Sequence, residues 1–262
     1  MKIISWNVAG LRACLKKNAI NNMINETSFP NIICIQETKA ESNQVIIDDE
    51  ISRFYKYRYW NSTKGTTQRK GFSGVSIWSS LEPKKELGNP EFDEEGRILS
   101  LEFDDFIVIN VYVPNSQEYE SERYFFREKW NTLLTEYILS LKETYTKEII
   151  ICGDFNVAHL DLDINNPQKK KNKVAGFFDN ERLDFAYLME KNELCDIFRH
   201  LNPLIQRSTY WSNFLRKPRN KYNGWGIDYY LISVNLIPKV KECNILKDSM
   251  GSDHCPLELI LN

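Results

Sequence analysis

Polar side chains that could carry acid–base or metal chemistry follow five apolar, strand-like runs of the chain. They are Asn7, Glu37, Asp154 with Asn156, Asp228, and Asp253 with His254. Carboxylate and amide oxygens suit a hard cation such as Mg²⁺ or Mn²⁺, whereas Zn²⁺ would favour a cluster of cysteine and histidine. An aspartate can orient a histidine, and a second carboxylate can position or deprotonate a water molecule. Together these groups provide what metal-assisted phosphodiester hydrolysis requires.

Six short motifs surround these residues and follow one another over almost the whole chain. They are SWNV at 5–8, IQETK at 35–39, YVPN at 112–115, GDFNVAH at 153–159, GWGIDY at 224–229 and GSDHCP at 251–256. In order and spacing they resemble the exodeoxyribonuclease III type of apurinic/apyrimidinic (AP) endonuclease. This group belongs to the wider endonuclease/exonuclease/phosphatase superfamily.

The resemblance implies an α/β fold, namely a four-layer α/β sandwich in which two mixed sheets pack face to face with helices outside. It implies one domain over residues 1–262. It also implies an Mg²⁺-dependent nuclease, with Mn²⁺ as a substitute, that acts on double-stranded DNA. Such an enzyme cuts 5′ to an abasic site and leaves a 3′-hydroxyl, cleans blocked 3′ ends and degrades DNA from 3′ to 5′.

The roles of the site residues are carried over from the same resemblance. Glu37 is the expected principal metal ligand, and the wider metal set comprises Asn7, Asp154, Asn156, Asp253 and His254. Asp154 orients or deprotonates the attacking water, and Asn156 holds that water or a phosphate oxygen. His254 contacts the scissile phosphate and is oriented by Asp228. Tyr112 stabilises the transition state or the leaving group, which completes the catalytic set.

DNA contacts are expected from basic and aromatic residues around this centre. The residues that match DNA-binding positions are Lys39, Phe72, Arg97, Asn115, Asn166, Lys170, Lys171, Tyr210, Trp225 and Ile227. Tyr210, Trp225 and Ile227 would line a pocket for the flipped abasic sugar. The segment 207–221 has five basic and no acidic residues, interleaved with Tyr210, Trp211 and Phe214, a pattern that suits an unstacked nucleotide.

Three positions depart from the pattern of the resembled family. Ala9 replaces the usual Asp or Asn, which weakens the case for a second metal position. Gly226 stands where Arg is common, and Glu118 lies in a loop where some members place a DNA-inserting Arg. We therefore expect a weaker grip on the abasic strand and faster product release.

The elements that must position these residues are short β-branched runs and a few amphipathic helices. Strands are predicted at 2–8, 31–35, 74–78, 98–103, 106–113, 148–152, 227–232, 240–245 and 257–261. Apolar residues at helical spacing predict a helix over 126–141, and weaker patterns predict helices at 182–191 and 19–25. Strands are often adjacent in sequence, which favours mixed sheets with packed helices over an alternating parallel barrel.

The composition of the chain restricts the classes of protein to which it can belong. The 262 residues are 42% hydrophobic and 27% charged, as in soluble globular proteins, and this excludes a disordered chain. A net charge of −2 means that phosphate binding must come from local patches or a metal ion. Six cysteines without C-x-x-C spacing predict free thiols and a reducing compartment. We expect a monomeric cytoplasmic enzyme without a membrane association.

Two alternatives remain from the sequence. One is a phosphatase of the same superfamily acting on lipid or inositol phosphates, although the basic and aromatic segment argues against it. The other is a catalytically silent DNA-binding module. That module would have lost some of Glu37, Asp154, Asp228 and His254, yet all four are present.

Overall fold

The computed structural model describes residues 1–63, 71–212, 219 and 223–262. Within these residues the strands are β1 (Lys2–Asn7), β2 (Ile32–Gln36), β3 (Tyr57–Asn61), β4 (Val75–Ser79), β5 (Lys85–Glu86), β6 (Ile98–Glu102), β7 (Phe106–Tyr112), β8 (Glu148–Asp154), β9 (Leu194–Asp196), β10 (Asp228–Ser233), β11 (Val240–Ile245) and β12 (Leu257–Leu261). They form two six-stranded sheets, in the orders β11-β12-β1-β2-β4-β3 and β5-β6-β7-β8-β10-β9. Each sheet contains one parallel pair, β1–β2 or β7–β8, so both are mixed.

The two sheets face each other across an apolar core. Ile3 and Ile32 of the first sheet belong to the same buried cluster as Val108 and Ile150 of the second. The opposite face of each sheet carries its own cluster, because successive strand residues point to opposite sides. Both faces of both sheets are therefore buried, which explains why the strands read as continuous apolar runs rather than as alternating patterns.

Helices cover the two outer faces. The α-helices of the described residues are α1 (Leu11–Lys16), α2 (Ala19–Glu26), α3 (Asp49–Phe54), α4 (Glu122–Thr144), α5 (Pro167–Lys170), α6 (Asp179–Lys191) and α7 (Ile197–Leu201). Of these, α7 packs Ile197 and Phe198 into the core between the sheets instead. Residues of α1, α2 and α3 complete the outer cluster of the first sheet, and residues of α4 and α6 complete that of the second. The long helix α4 begins at Ser121, whose side chain accepts a hydrogen bond from the Tyr124 amide. The four-layer α/β sandwich is confirmed.

The two parallel pairs decide where the polar residues meet. β1 and β2 end at Asn7 and immediately before Glu37, while β7 and β8 end at Tyr112 and Asp154. Strand β10 runs antiparallel to β8 and starts with Asp228 directly opposite Asp154. Because carboxyl ends of parallel strands meet at one sheet edge, each sheet delivers its polar groups to one end of the sandwich.

Two further observations concern the cysteines and the character of the helices. All six cysteines lie in described segments and are free thiols, five of them buried, as predicted. Over the described ranges, no helix has the length and apolar character needed to cross a lipid bilayer.

Candidate active site

A cavity of about 500 Å³ opens at the end of the sandwich where these strands finish. Its lining includes the predicted residues Glu37, Tyr112, Asn115, Asp154, Asn156, Lys170, Tyr210, Trp225, Ile227, Asp253 and His254. Ala175, Gly176 and Ser212 also line it, although the sequence analysis did not single them out. The structure thus brings together residues that are separated by up to about two hundred positions in the chain.

Asp154 lies at the base of the cavity and is only 2% exposed. One carboxylate oxygen, Oδ2, accepts a hydrogen bond from Asn7 Nδ2 at 2.9 Å, and Oδ1 accepts one from the Asn156 amide at 2.8 Å. Burial and the negative charge of Asp228 raise the pKa of Asp154 to about 7, against the opposing effect of His254 and these hydrogen bonds. Asp154 is therefore oriented from two sides and suited to hold a proton or a polarised water.

His254 and Asp228 form a buried pair beside Asp154. Nδ1 of His254 lies 2.9 Å and 3.1 Å from the two carboxylate oxygens of Asp228, and Nε2 lies 3.8 Å from Asp154 Oδ2. Burial lowers the pKa of His254, but the charge and hydrogen bond of Asp228, with Asp154 and Asp253, outweigh it and raise the pKa to about 10. Asp228 thus favours the protonated imidazole, with Nε2 directed to the side of Asp154.

Thr209 supports this pair from behind and was missed in the sequence analysis. Its hydroxyl donates to Asp228 Oδ2 at 2.5 Å and accepts hydrogen bonds from the Ile227 and Asp228 amides at 3.2 Å each. Thr209 is fully buried. The only signal in the sequence was its place next to Tyr210, since threonine carries no distinctive motif here.

Asn156 connects the turns that follow β7 and β8. Its Nδ2 donates to the Val113 carbonyl at 2.9 Å, and its Oδ1 accepts from Asn115 Nδ2 at 3.1 Å. Its φ of 49° lies in the left-handed region, which asparagine adopts more readily than most residues. Asn115 and Asn156 therefore form a mutually oriented amide pair on the cavity wall.

Tyr112 rests on a buried cation, Arg97. The Arg97 guanidinium lies 4.5 Å from the centre of the Tyr112 ring and 5.3 Å from that of Phe72, and its Nε is 2.6 Å from Glu95 Oε2. Burial and the negative charges of Glu37 and Asp154 raise the pKa of Tyr112, while Arg97 lowers it. Tyr112 is thus a neutral phenol.

Arg97, which matches a DNA-binding position, is buried beneath Tyr112. Its side chain is 2% exposed and is enclosed by Glu95, Tyr112 and Phe72, so it does not present its charge to solvent. Phe72 is partly exposed and covers this guanidinium. Packing beneath Tyr112, rather than a surface contact, is the role that this geometry allows.

Glu37 faces the cavity from the end of β2, at a positive φ of 57°. Lys39 Nζ lies 2.8 Å from Glu37 Oε1, and the Lys39 side chain is 43% exposed. Lys39 therefore sits at the rim beside the proposed metal ligand. Asn7 is buried behind the cavity, where its Oδ1 accepts a hydrogen bond from the Ala9 amide at 3.0 Å.

The donor atoms around the cavity fit a hard metal ion. Glu37, Asp154, Asn156 and Asp253 supply carboxylate and amide oxygens on one lining. Asp154, Asp228 and His254 also have ligand atoms within 4.8 Å of one another and form a buried group that could hold a metal. Since Asp228 and His254 already bind each other, we regard the oxygen set with Glu37 as the better cation site.

An aromatic wall formed by Tyr210 and Trp225 lies beside the acid–base groups, since the centre of the Tyr210 ring is 4.8 Å from that of the His254 ring. Tyr210 and Trp225 are joined by reciprocal backbone hydrogen bonds of 2.9 Å, and Ile227 belongs to a small apolar cluster beneath them. Lys170 Nζ lies 4.5 Å from the centre of the Trp225 ring. The cavity therefore combines a polar, anionic side with an apolar side that can accept the face of a sugar.

The remaining predicted DNA contacts lie outside the cavity lining. Lys171 is exposed and lies 3.5 Å from Asp179, and Asn166 adopts a left-handed φ of 52° immediately before α5. Phe214 and the basic residues Arg216, Lys217 and Lys221 of the segment 207–221 lie outside the described residues.

Comparison with known proteins agrees with this site. The family model described as the Endonuclease/Exonuclease/phosphatase family matches residues 4–254. The chain belongs to this family. It is 40% identical to the exodeoxyribonuclease of Bacillus subtilis over all of both chains. It is also 37% identical to the DNA repair nuclease APEX1 of Danio rerio, over all of this chain and 82% of that protein.

Solved structures resemble the enzyme over its full length. An AP endonuclease from Archaeoglobus fulgidus superposes with a TM-score of 0.85 and 26% identity, covering 100% of this chain and 99% of that one. A 3′ phosphatase from Neisseria, solved with a product DNA hairpin, superposes with a TM-score of 0.85 and 25% identity, covering 100% of this chain and 99% of that one. The enzyme is a phosphodiesterase of the AP endonuclease and exodeoxyribonuclease type, from a group of DNA repair nucleases. These relatives favour a nuclease over a lipid phosphatase or a silent DNA-binding module.

Proposed function

We propose that the enzyme hydrolyses the phosphodiester bond 5′ to abasic sites in duplex DNA and leaves a 3′-hydroxyl. It also removes blocking groups from 3′ ends and has 3′→5′ exonuclease activity. One observation carries this proposal: a single cavity is lined both by oriented acid–base groups and by an aromatic wall. Such a wall can receive a flipped sugar that lacks a base.

The catalytic roles follow from hydrogen-bond geometry. Asp154, held by Asn7 and the Asn156 amide, positions a water molecule and accepts its proton. The His254 cation, stabilised by Asp228, donates to a non-bridging phosphate oxygen. Neutral Tyr112 and the amide of Asn115 donate to the phosphate from the opposite side of the cavity. Phosphoryl transfer relies on this kind of positioning and charge stabilisation.

Glu37, with Asn7 and Asp253 in support, would hold the metal ion. When bound, Mg²⁺ or Mn²⁺ supplies positive charge that neutralises the phosphate and the leaving oxygen. The chain itself provides the hard oxygen donors that this role requires.

The DNA is held through phosphate contacts and through steric selection. Lys39 at the rim, Lys170 beside Trp225, and exposed Lys171 with Asn166 contact backbone phosphates. Tyr210, Trp225 and Ile227 accept the abasic deoxyribose. A nucleotide that retains its base fits this wall less well, so it is cleaved more slowly than an abasic site.

A cleavage assay on defined duplexes tests the proposal. We expect incision 5′ to a tetrahydrofuran abasic analogue and slower shortening of a recessed 3′ end, both with Mg²⁺ and neither with EDTA. Asp154→Asn is the matched inactive control, because it keeps the shape of the side chain and removes the base. Equal cleavage of abasic and intact duplexes, or cleavage in EDTA, would contradict the proposed function.

The metal assignment has a separate test in Glu37→Gln. This variant keeps the side-chain shape but removes the charge that balances a cation. We expect a strong loss of rate at low Mg²⁺ with partial recovery at high Mg²⁺, and weaker Mg²⁺ binding in calorimetry. A variant with the wild-type rate at low Mg²⁺ would remove Glu37 from the metal site.

A further inference from the structure

Arg127 of helix α4 is a buried cation that lies outside the proposed catalytic set. Its side chain is 2% exposed, and burial lowers the pKa of its guanidinium while Glu181, Asp154 and Asp184 raise it. Holding a charge in the interior is costly unless the charge is paired and hydrogen-bonded. The groups that receive its hydrogen bonds therefore indicate what Arg127 does.

The guanidinium spans the two turns that carry the amide pair of the cavity wall. Nη1 donates to the Pro114 carbonyl at 2.5 Å and to the Asn156 carbonyl at 3.4 Å, and Nη2 donates to the Phe155 carbonyl at 2.9 Å. Pro114 precedes Asn115, and Phe155 lies between Asp154 and Asn156. One planar group thus fixes the turn after β7 to the turn after β8.

The guanidinium is itself fixed from α4 and α6. Its Nε donates to Asn131 Oδ1 at 2.9 Å, and Nη1 lies 4.0 Å from the Glu181 carboxylate. Glu181 in turn accepts a hydrogen bond from Ser116 Oγ at 2.6 Å, on the same turn as Asn115. Arg127 is therefore a rigid connection between the outer helices and the catalytic turns.

We propose that Arg127 is a positioning residue, which acts through Asn156 by holding the Asn115–Asn156 amide pair in register with Asp154. This inference rests on the proposed nuclease function. A guanidinium can make several in-plane hydrogen bonds at once, whereas a lysine ammonium is a compact point charge without the fork. Arg127→Lys therefore keeps the charge and removes the geometry, and Arg127→Met removes both.

A double-mutant cycle separates positioning from general loosening of the fold. We expect Arg127→Lys to lower kcat on the abasic duplex by about ten- to a hundredfold, with a smaller change in KM, because small misplacements of reacting groups are costly. In an Asn156→Ala background the same substitution should change kcat little, since the side-chain amide that Arg127 holds in place is then absent. An equal fold-loss in both backgrounds would overturn the proposal.

Hydrogen exchange provides a readout that does not depend on activity. In Arg127→Met, amides of segments 113–117 and 154–157 should exchange faster, while β1 and β2 stay unchanged. Arg58→Met is the control, because Arg58 also donates to two backbone carbonyls, Ser52 and Tyr55, at 3.1 Å and 2.6 Å, but on the edge strand β3. It should leave exchange in 113–117 and 154–157 unchanged. Unchanged or uniformly faster exchange in Arg127→Met would contradict the role of Arg127. If the wild type were inactive on DNA but Arg127→Met still showed faster exchange only in 113–117 and 154–157, the result would count against the nuclease function and not against the role of Arg127.

Discussion

The His254–Asp228 pair is the part of the site whose chemistry depends most on a single hydrogen bond. Both carboxylate oxygens of Asp228 lie within 3.1 Å of His254 Nδ1. Asp228 therefore orients the imidazole of His254 and stabilises its cationic form. Asp228→Asn and His254→Ala should each reduce kcat strongly. The kcat of the double variant should be close to that of the less active single variant. This follows because residues that act as one unit give non-additive losses. Steady-state rates of the three variants check it, and fully multiplicative losses would show independent action.

Thr209 yields a second prediction at the residue scale. Thr209→Val keeps the shape but removes the hydrogen bond to Asp228 and leaves the Ile227 and Asp228 amides without their acceptor. We expect a free energy of unfolding lower by about 1–3 kcal/mol, the usual cost of an unsatisfied buried polar group, together with a lower kcat. Denaturant unfolding and cleavage rates measure the two effects. Thr209→Ser retains the hydroxyl and should restore kcat; failure to do so would exclude the hydrogen bond as the cause.

Among the elements, the segment that carries Tyr210 and the segment that carries Trp225 form the apolar wall together. Trp225 is partly exposed and stacks under Lys170 Nζ, so it is not a core residue. Trp225→Ala should lower incision at abasic sites and raise relative activity on intact strands, because discrimination by fit loosens when the pocket is enlarged. The measurement is the ratio of incision rates on the two duplexes, using protein shown to be folded by thermal melting. An unchanged ratio would remove Trp225 from the pocket.

The sequence predicted nine of the strands well because both faces of each sheet are buried, and buried strands are continuous apolar runs. β3, β5 and β9 were missed. β5 has two residues, and β3 lies at a sheet edge where charged and aromatic residues mix. Of the helices, α2, α4 and α6 were predicted, but the short α1, α3, α5 and α7 were not, since four to six residues give too little periodicity.

Within α4 the predicted apolar residues Trp130, Leu134, Ile138 and Leu141 are buried, but the buried face also carries polar residues. That face contains Arg127, Asn131 and Thr135 beside Leu134 and Ile138. Arg127 donates hydrogen bonds to the turns after β7 and β8, which no hydrophobic pattern could reveal. The site residues were identified through motifs, whereas Thr209 and Arg127 act through tertiary hydrogen bonds and Arg97 is enclosed by residues distant in sequence.

For the molecule as a whole, the small net charge limits how DNA can be bound. Among the described residues, the proposed phosphate contacts outside the catalytic centre are made by three lysines, Lys39, Lys170 and Lys171, on a chain with a net charge of −2. Together these three should contribute about −3 to the slope of the logarithm of the binding constant against the logarithm of salt concentration, since each contact contributes about −0.9. Fluorescence anisotropy of an abasic duplex in EDTA measures this slope. Lys171→Met should reduce it by about one, and an unchanged slope would exclude Lys171 as a phosphate contact.

The contact between Gly226 and Arg207 has a consequence for how this enzyme could change over evolutionary time. A side-chain carbon at position 226 would lie 2.5 Å from Arg207 Cγ, and Arg207 is buried between Asp163 and Asp196. A side chain at position 226 therefore requires Arg207 to be replaced or displaced. The two positions are coupled, so a lineage can acquire a cation at position 226 only together with a change in the position or identity of the cation beneath it.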